Sequence, residues 1–294
     1  MASKRLTLLS RARAVPAPAF VVVGIASTQA GSAVAKTLFD DLGPAGTAFL
    51  RVALAAVLLA AIWRPRIAHH SRRDLLLAAA FGLALCAMNF TFYEAISRIP
   101  LGIAVTIEFA GPLAVAVAGS RRALDGLWVV LAAAGILLLA RGGGDVQTTG
   151  VLLALLAGAF WACYILLSAR AGQAFAGGSG LAVAMVVGGV VLLPVGVAGA
   201  GSALLDPGLV AAGAGVALLA SAIPYSLELE ALRRLPTRVF GILMSLEPAI
   251  AALAGFVILG EGLGAREIVA IGLVAAASLG ASLSAEGPTQ PLDG

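Results

Sequence analysis

Ten apolar stretches of about 15 to 22 residues follow one another along the chain, near 15 to 36, 45 to 63, 75 to 94, 101 to 119, 123 to 140, 150 to 170, 181 to 200, 208 to 230, 238 to 259 and 267 to 285. Roughly 20 helical residues cross a hydrocarbon layer of about 30 Å, so each stretch has the length of a transmembrane helix. One water-soluble core is excluded. A chain that is 61% hydrophobic and 12% charged, with mean hydropathy +1.03, has too few polar side chains to cover a globule of 294 residues. A barrel is disfavoured as well, because the runs do not alternate and are rich in Ala, Leu and Gly, and a helix satisfies its own backbone hydrogen bonds in lipid. Glycines inside the runs, such as Gly82, Gly135, Gly158, Gly188 and Gly255, suit close helix packing. The expected fold is therefore an all-α integral membrane protein of ten transmembrane helices.

Charge placement gives the orientation. The basic pI of about 9.6 does not indicate nucleic acid, because Lys and Arg follow the loops. With the N-terminus in the cytoplasm, fourteen of the nineteen fall in inner segments, four (Lys36, Arg98, Arg141, Arg266) in outer ones, and Arg51 inside a span. That excess predicts both termini inside. The first apolar run exceeds the h-region of a signal peptide and nine more follow it, so it reads as span 1. Cys86 and Cys163 both lie in predicted spans, which gives neither a disulfide framework nor metal-type spacing.

The chain also repeats itself. At an offset of 136, Glu94, Arg98, Pro100 and Pro112 fall on Glu230, Arg234, Pro236 and Pro248, and at 134, Gly24 falls on Gly158 and Lys36 on Arg170. A unit with an odd number of spans must insert its second copy upside down. The predicted organisation is a cytoplasmic tail over 1–14, a five-helix unit over 15–141, an inverted copy over 149–285, and a cytoplasmic tail over 286–294. Inverted repeats mark secondary transporters, whose solute site lies near the midplane between the repeats.

Ionisable groups at that depth cost about 2.5 to 3.5 kcal/mol each and need a partner, a wet cavity or a task. Glu108, three residues before Gly111-Pro112, and Glu247, directly before Pro248, fit that description best; the lesser alternative is a structural acid bonded to a neighbouring helix. The repeat pairs Gly111 with Glu247, so Glu108 lies one turn from the equivalent position and both carboxylates are expected at one central cavity. Pro112 and Pro248 are expected to kink their helices and free carbonyls there. Arg51 and Lys36 are the cations able to hold a carboxylate or pair with a glutamate, although Lys36 could simply snorkel to the interface. Gln29, Asn89, Trp161, Tyr164, Tyr225 and Glu228 complete the candidate set for substrate binding or coupling. Glu94 and Glu230 read as ion-pair partners of Arg98 and Arg234 one turn on. Trp63 and Trp128 read as packing or interfacial residues, and His69 and His70 as solvated loop residues.

No HExxH, GxSxG, Walker A or GxGxxG sequence is present, so no catalytic site, cofactor or metal is indicated. Coupling would then come from an ion gradient or from the solute gradient itself, and a midplane carboxylate is a natural proton carrier.

The strings PLGIAVTIEFAGPLAV (100 to 115), SRR (120 to 122) and IPYSLELEALRRLPTRVFGILMSLEPA (223 to 249) resemble exporters of the threonine/homoserine class, in the EamA branch of the drug/metabolite transporter superfamily. The resemblance runs from Gln29-Ala30-Gly31 to the last helix. It implies a ten-helix, five-plus-five inverted fold in a bacterial-type inner membrane, exporting small amino acids by exchange with protons. Lys36, Arg51, Asn89, Glu108, Glu228 and Glu247 match the polar pattern of that family, with Glu94 and Trp161 beside them. A different solute class (other amino acids, drugs or nucleotide precursors) and a non-transporting membrane component or channel remain alternatives, because fold does not fix substrate.

Overall fold

The computed structural model describes residues 16–118, 123–140 and 147–284. The two tails, 1–14 and 286–294, and the SRR string lie outside the described residues. In chain order the helices are α1 (Ala17–Thr37), α2 (Phe39–Trp63), α3 (Arg72–Ile96), α4 (Leu101–Glu108), α5 (Ala110–Ala118), α6 (Ala123–Ala140), α7 (Thr148–Ala174), α8 (Ser179–Ala200), α9 (Pro207–Ala217), α10 (Ile223–Leu232), α11 (Thr237–Met244), α12 (Glu247–Leu259) and α13 (Ala265–Ser284). A π-helical turn, Leu218–Ala222, joins α9 to α10. Among the described residues there is no strand.

Nine helical segments among the described residues are long and apolar enough to cross a membrane: α1, α2, α3, α4 with α5, α7, α8 with the short 3₁₀ turn that follows it, α9 through α10, Val239–Leu259, and Ala265–Leu283. The run expected at 123 to 140 is α6, whose apolar part, Gly126–Leu139, is shorter. Helix boundaries follow local chemistry. Ser71 caps α3 through a reciprocal bond with Asp74, and α1 and α9 each begin beside a proline, whose missing N–H costs nothing at a first turn. Gly43, with φ 65°, breaks the short helical turn after Phe39 from the main body of α2, which then runs from Pro44.

The most extensive packing joins early helices to late ones. α2 lies along α8, α3 along α7, α6 along α13, α1 against α10 and α12, and α4 against α12. Neither half of the chain is an independent bundle. Small residues allow the approach: a Cβ at Gly111 would stand 1.9 Å from the carbonyl oxygen of Gly158, and one at Gly158 would stand 2.5 Å from that of Glu108. α5 and α7 therefore touch backbone to backbone, the small-residue packing that stands in for a hydrophobic driving force in lipid. Trp63 covers Gly177 and Gly178, and Trp128 covers Gly280, so both tryptophans pack on glycines. His70 differs from expectation: its ring lies 4.2 Å from that of Phe175, and an aromatic neighbour rather than solvent takes that face.

Candidate functional site

Three discontinuities converge on the middle of the bundle, and each has a proline. Pro112 offers no N–H to the carbonyl of Glu108, and helix α4 ends at Glu108 before α5 resumes at Ala110. Pro248 offers none to Met244, where α11 ends before α12 begins at Glu247. Pro224 offers none to the carbonyls one turn back, and there the backbone widens into the π turn. Side chains from two other helices meet these freed carbonyls. Ser27 Oγ donates to the Leu219 carbonyl at 2.6 Å and Arg51 Nη2 to that of Ala220 at 2.7 Å. Gly31 makes this approach feasible, since a Cβ there would stand 2.8 Å from the Ala220 nitrogen.

Around these breaks lies a cavity of about 640 Å³. Both Glu108 and Glu247 line it, as do Gln29 and Arg51 from α1 and α2 and Asn89 from α3. Trp161 and Tyr164 of α7, Tyr225 and Glu228 of α10, and Pro112 line the same space. The Tyr164 and Tyr225 rings stack at 6.5 Å, and Phe109 meets Trp161 edge-on at 5.4 Å. The wall runs on to Gly177, Gly178, Leu232, Phe240 and Ser282, all at the end of the bundle that carries Trp63 and Arg170. Among the described residues, nothing from the opposite end, where Lys36 sits, lines it.

Arg51 is buried and donates on three sides: Nε to Ser221 Oγ at 3.1 Å, Nη1 to the Tyr93 hydroxyl at 3.3 Å, and Nη2 to the Ala220 carbonyl. Its guanidinium also lies over the Tyr93 ring, 5.4 Å from the centroid. The Tyr225 hydroxyl is a further partner of the same guanidinium, which carries five N–H donors in all. Glu108 interacts electrostatically with it. Glu247, 7% exposed, accepts one bond, from Gln29 Nε2 at 3.0 Å. Its second oxygen has no partner among the described residues, and neither has Gln29 Oε1 or Ser32 Oγ. Glu108 and Glu228 both act on Glu247 electrostatically. Asn89 donates to the carbonyl of Leu85 in its own helix.

Lys36 does not join this set. Its Nζ pairs with Glu261 Oε1 at 2.6 Å and donates to the carbonyl of Ile99 at 3.1 Å, while Glu261 Oε2 accepts from the backbone N–H of Leu101 at 2.7 Å. One glutamate thus ties the C-terminal end of α1, the start of α4 and the turn after α12 together at the far end from the cavity mouth. Gly260, left-handed at φ 69°, ends α12 and lets the Glu261 N–H bond back to Gly255. Glu261, Ser32, Ser221 and Tyr93 were not singled out by the sequence; a Gly-Glu-Gly helix end was the available signal for the first. Glu94 pairs with Arg98 at 2.6 Å and Glu230 with Arg234, both one helical turn apart. Cys86 and Cys163 are unpaired, and among the described residues no group of three His, Cys, Asp or Glu side chains could hold a metal.

A family model described as the EamA-like transporter family matches residues 148–283. The threonine/homoserine exporter RhtA of Escherichia coli (strain K12) is 46% identical over 270 residues, 90% of each chain, and that of Salmonella typhimurium (strain LT2) matches equally. The chain belongs to the EamA-like transporter family. A solved structure titled only as the crystal structure of a protein covers 92% of this chain and 99% of its own at TM-score 0.58 and 17% identity, a likeness of fold. As an EamA-type protein related to exporters, this chain is a membrane transport protein and not an enzyme.

Proposed function

We propose that this EamA-family protein exports small amino acids of the threonine/homoserine class from the cytoplasm by exchange with protons. The reading rests on one observation above all: among the described residues, the cavity that the interlocked helices enclose holds Glu108, Glu228 and Glu247 beside a single cation, Arg51. A volume of about 640 Å³ lies within the ~300 to 1,000 Å³ of small-molecule sites. A zwitterion complements this inventory, its carboxylate facing Arg51 and its ammonium facing a glutamate. A proton and an ammonium that compete for one buried carboxylate give obligatory exchange, because the bare charge is costly in the membrane interior and either ligand offsets it.

Ten spans in two inverted five-helix units, 15–141 and 149–285, complete the proposal, with the site between the units. The packing supports it: exchanging each span with the one five places on maps the pairs 2–7, 4–9 and 5–10 onto themselves and 1–8 onto 3–6. The Lys and Arg bias puts both termini and the Arg170 end in the cytoplasm of a bacterial-type inner membrane. The cavity then faces the cytoplasm with the Lys36–Glu261 end closed, one of the two states that alternating access requires.

Inverted vesicles carrying the protein, with an imposed acid-inside pH gradient, should accumulate labelled threonine, and collapse of the gradient should stop uptake. Wild-type rates in both Glu108→Gln and Glu247→Gln would remove these carboxylates from the mechanism.

A further inference from the structure

Three buried polar atoms on one part of the cavity wall have no partner among the described residues: Ser32 Oγ, Gln29 Oε1 and Glu247 Oε2. Their residues are 1%, 2% and 7% exposed, and all three line the cavity. Gln29 and Ser32 are three apart on α1 and so share a face, and the Gln29–Glu247 bond joins that face to the first residue of α12. Leaving a buried polar atom unpaired costs about 1 to 3 kcal/mol, so three together on a cavity wall call for a ligand. All three can accept a hydrogen bond, and one of them carries the charge. The group that offers three donors and one positive charge in a small volume is a primary ammonium.

We infer that Ser32, Gln29 and Glu247 form the ammonium subsite of the transported solute, at the junction of α1 and α12. The inference rests on the amino-acid reading above and narrows it: it separates Glu247, set beside the unpartnered oxygens of Gln29 and Ser32, from Glu108, which interacts with Arg51. It also adds Ser32, which lies outside the set derived from the sequence. Arg51 takes no part in this subsite, since three of its donors hold the π turn and Tyr93.

The test compares two competitors for labelled threonine on the purified full chain: unlabelled threonine, and N-acetylthreonine, which keeps the carboxylate and hydroxyl but has no cationic amine. Wild-type protein should prefer threonine strongly. Ser32→Ala should weaken threonine about tenfold, the scale of one bond to a charged group, and leave N-acetylthreonine within about twofold, so that the preference falls by the same factor. Gln29→Met, which keeps the length of the side chain, should do likewise and guards against a folding defect in either variant. An unchanged preference in both variants, or an equal weakening of both competitors, would overturn the subsite. Wild-type protein that binds neither threonine nor homoserine would instead overturn the substrate class, a separate result.

Discussion

Two acids flank the same helix, one buried and one half-buried, and are treated in opposite ways. Glu247, at the start of α12, has one oxygen bonded to Gln29 and the other without a partner among the described residues. Glu261, just past its end, has both oxygens engaged, by Lys36 and by the Leu101 N–H. The contrast separates a site from a seal. A carboxylate left half-satisfied in a cavity can take up a ligand, whereas one fully satisfied between three segments holds those segments together.

The sharpest way to break that contrast is to remove the charge from the unsatisfied acid. Glu247→Gln should lower exchange by about 100-fold or more, on the scale of losing a buried charge-assisted contact, with normal amounts of protein in the membrane. Initial rates in vesicles, normalised to protein, measure it. A less direct attack goes through the helix packing beside the cavity. Gly111→Ala places a Cβ 1.9 Å from the Gly158 carbonyl oxygen, so α5 and α7 must separate; we expect a loss of about 1 to 3 kcal/mol, read as a lower melting temperature of the purified protein.

Removing charge from the satisfied acid should have a different signature. Glu261→Gln preserves the shape and the acceptor for Leu101 while weakening the pair with Lys36. The two side chains are 15% and 22% exposed, which limits the loss to about 1 kcal/mol, or a severalfold shift in population. In protein lacking Cys86 and Cys163, a cysteine at Thr28 in the cavity should then react severalfold faster with an impermeant thiol reagent applied from the Lys36 side. No change in reactivity would remove Glu261 as a seal. The smallest effect belongs to pairs outside both regions: Glu230→Gln loses only one-turn ion pairs at a helix end, worth roughly 0.5 kcal/mol, and should leave exchange within about twofold.

Much of the fold is legible in the order of the residues. Apolar runs of membrane length are local properties, and the helices begin and end within a few residues of the expected spans, because prolines, glycines and the Ser71–Asp74 cap act over a single turn. The ion pairs of Glu94 and Glu230 were legible for the same reason, both partners lying four residues apart. The span at 123 to 140 was harder, since α6 is the run whose apolar part falls short. Lys36 shows the limit most clearly. The sequence offered it two roles, a cavity cation or a snorkelling end group, and its partner lies 225 residues away at Glu261. Arg51 is similar: the sequence marked it as a buried cation in search of an anion, while the structure gives it a carbonyl, a hydroxyl and a tyrosine from α3 and the π turn.

The sequence by itself determined the solvent, the span lengths and the few polar side chains that lipid could not accommodate, because each of these depends on composition and on neighbours one helical turn away. Only the tertiary structure decided which of those polar groups would be satisfied. Hydrogen bonds between helices depend on how the halves interlock, and that interlocking left Glu247, Gln29 and Ser32 with unpartnered atoms at a cavity while it closed Lys36 onto Glu261.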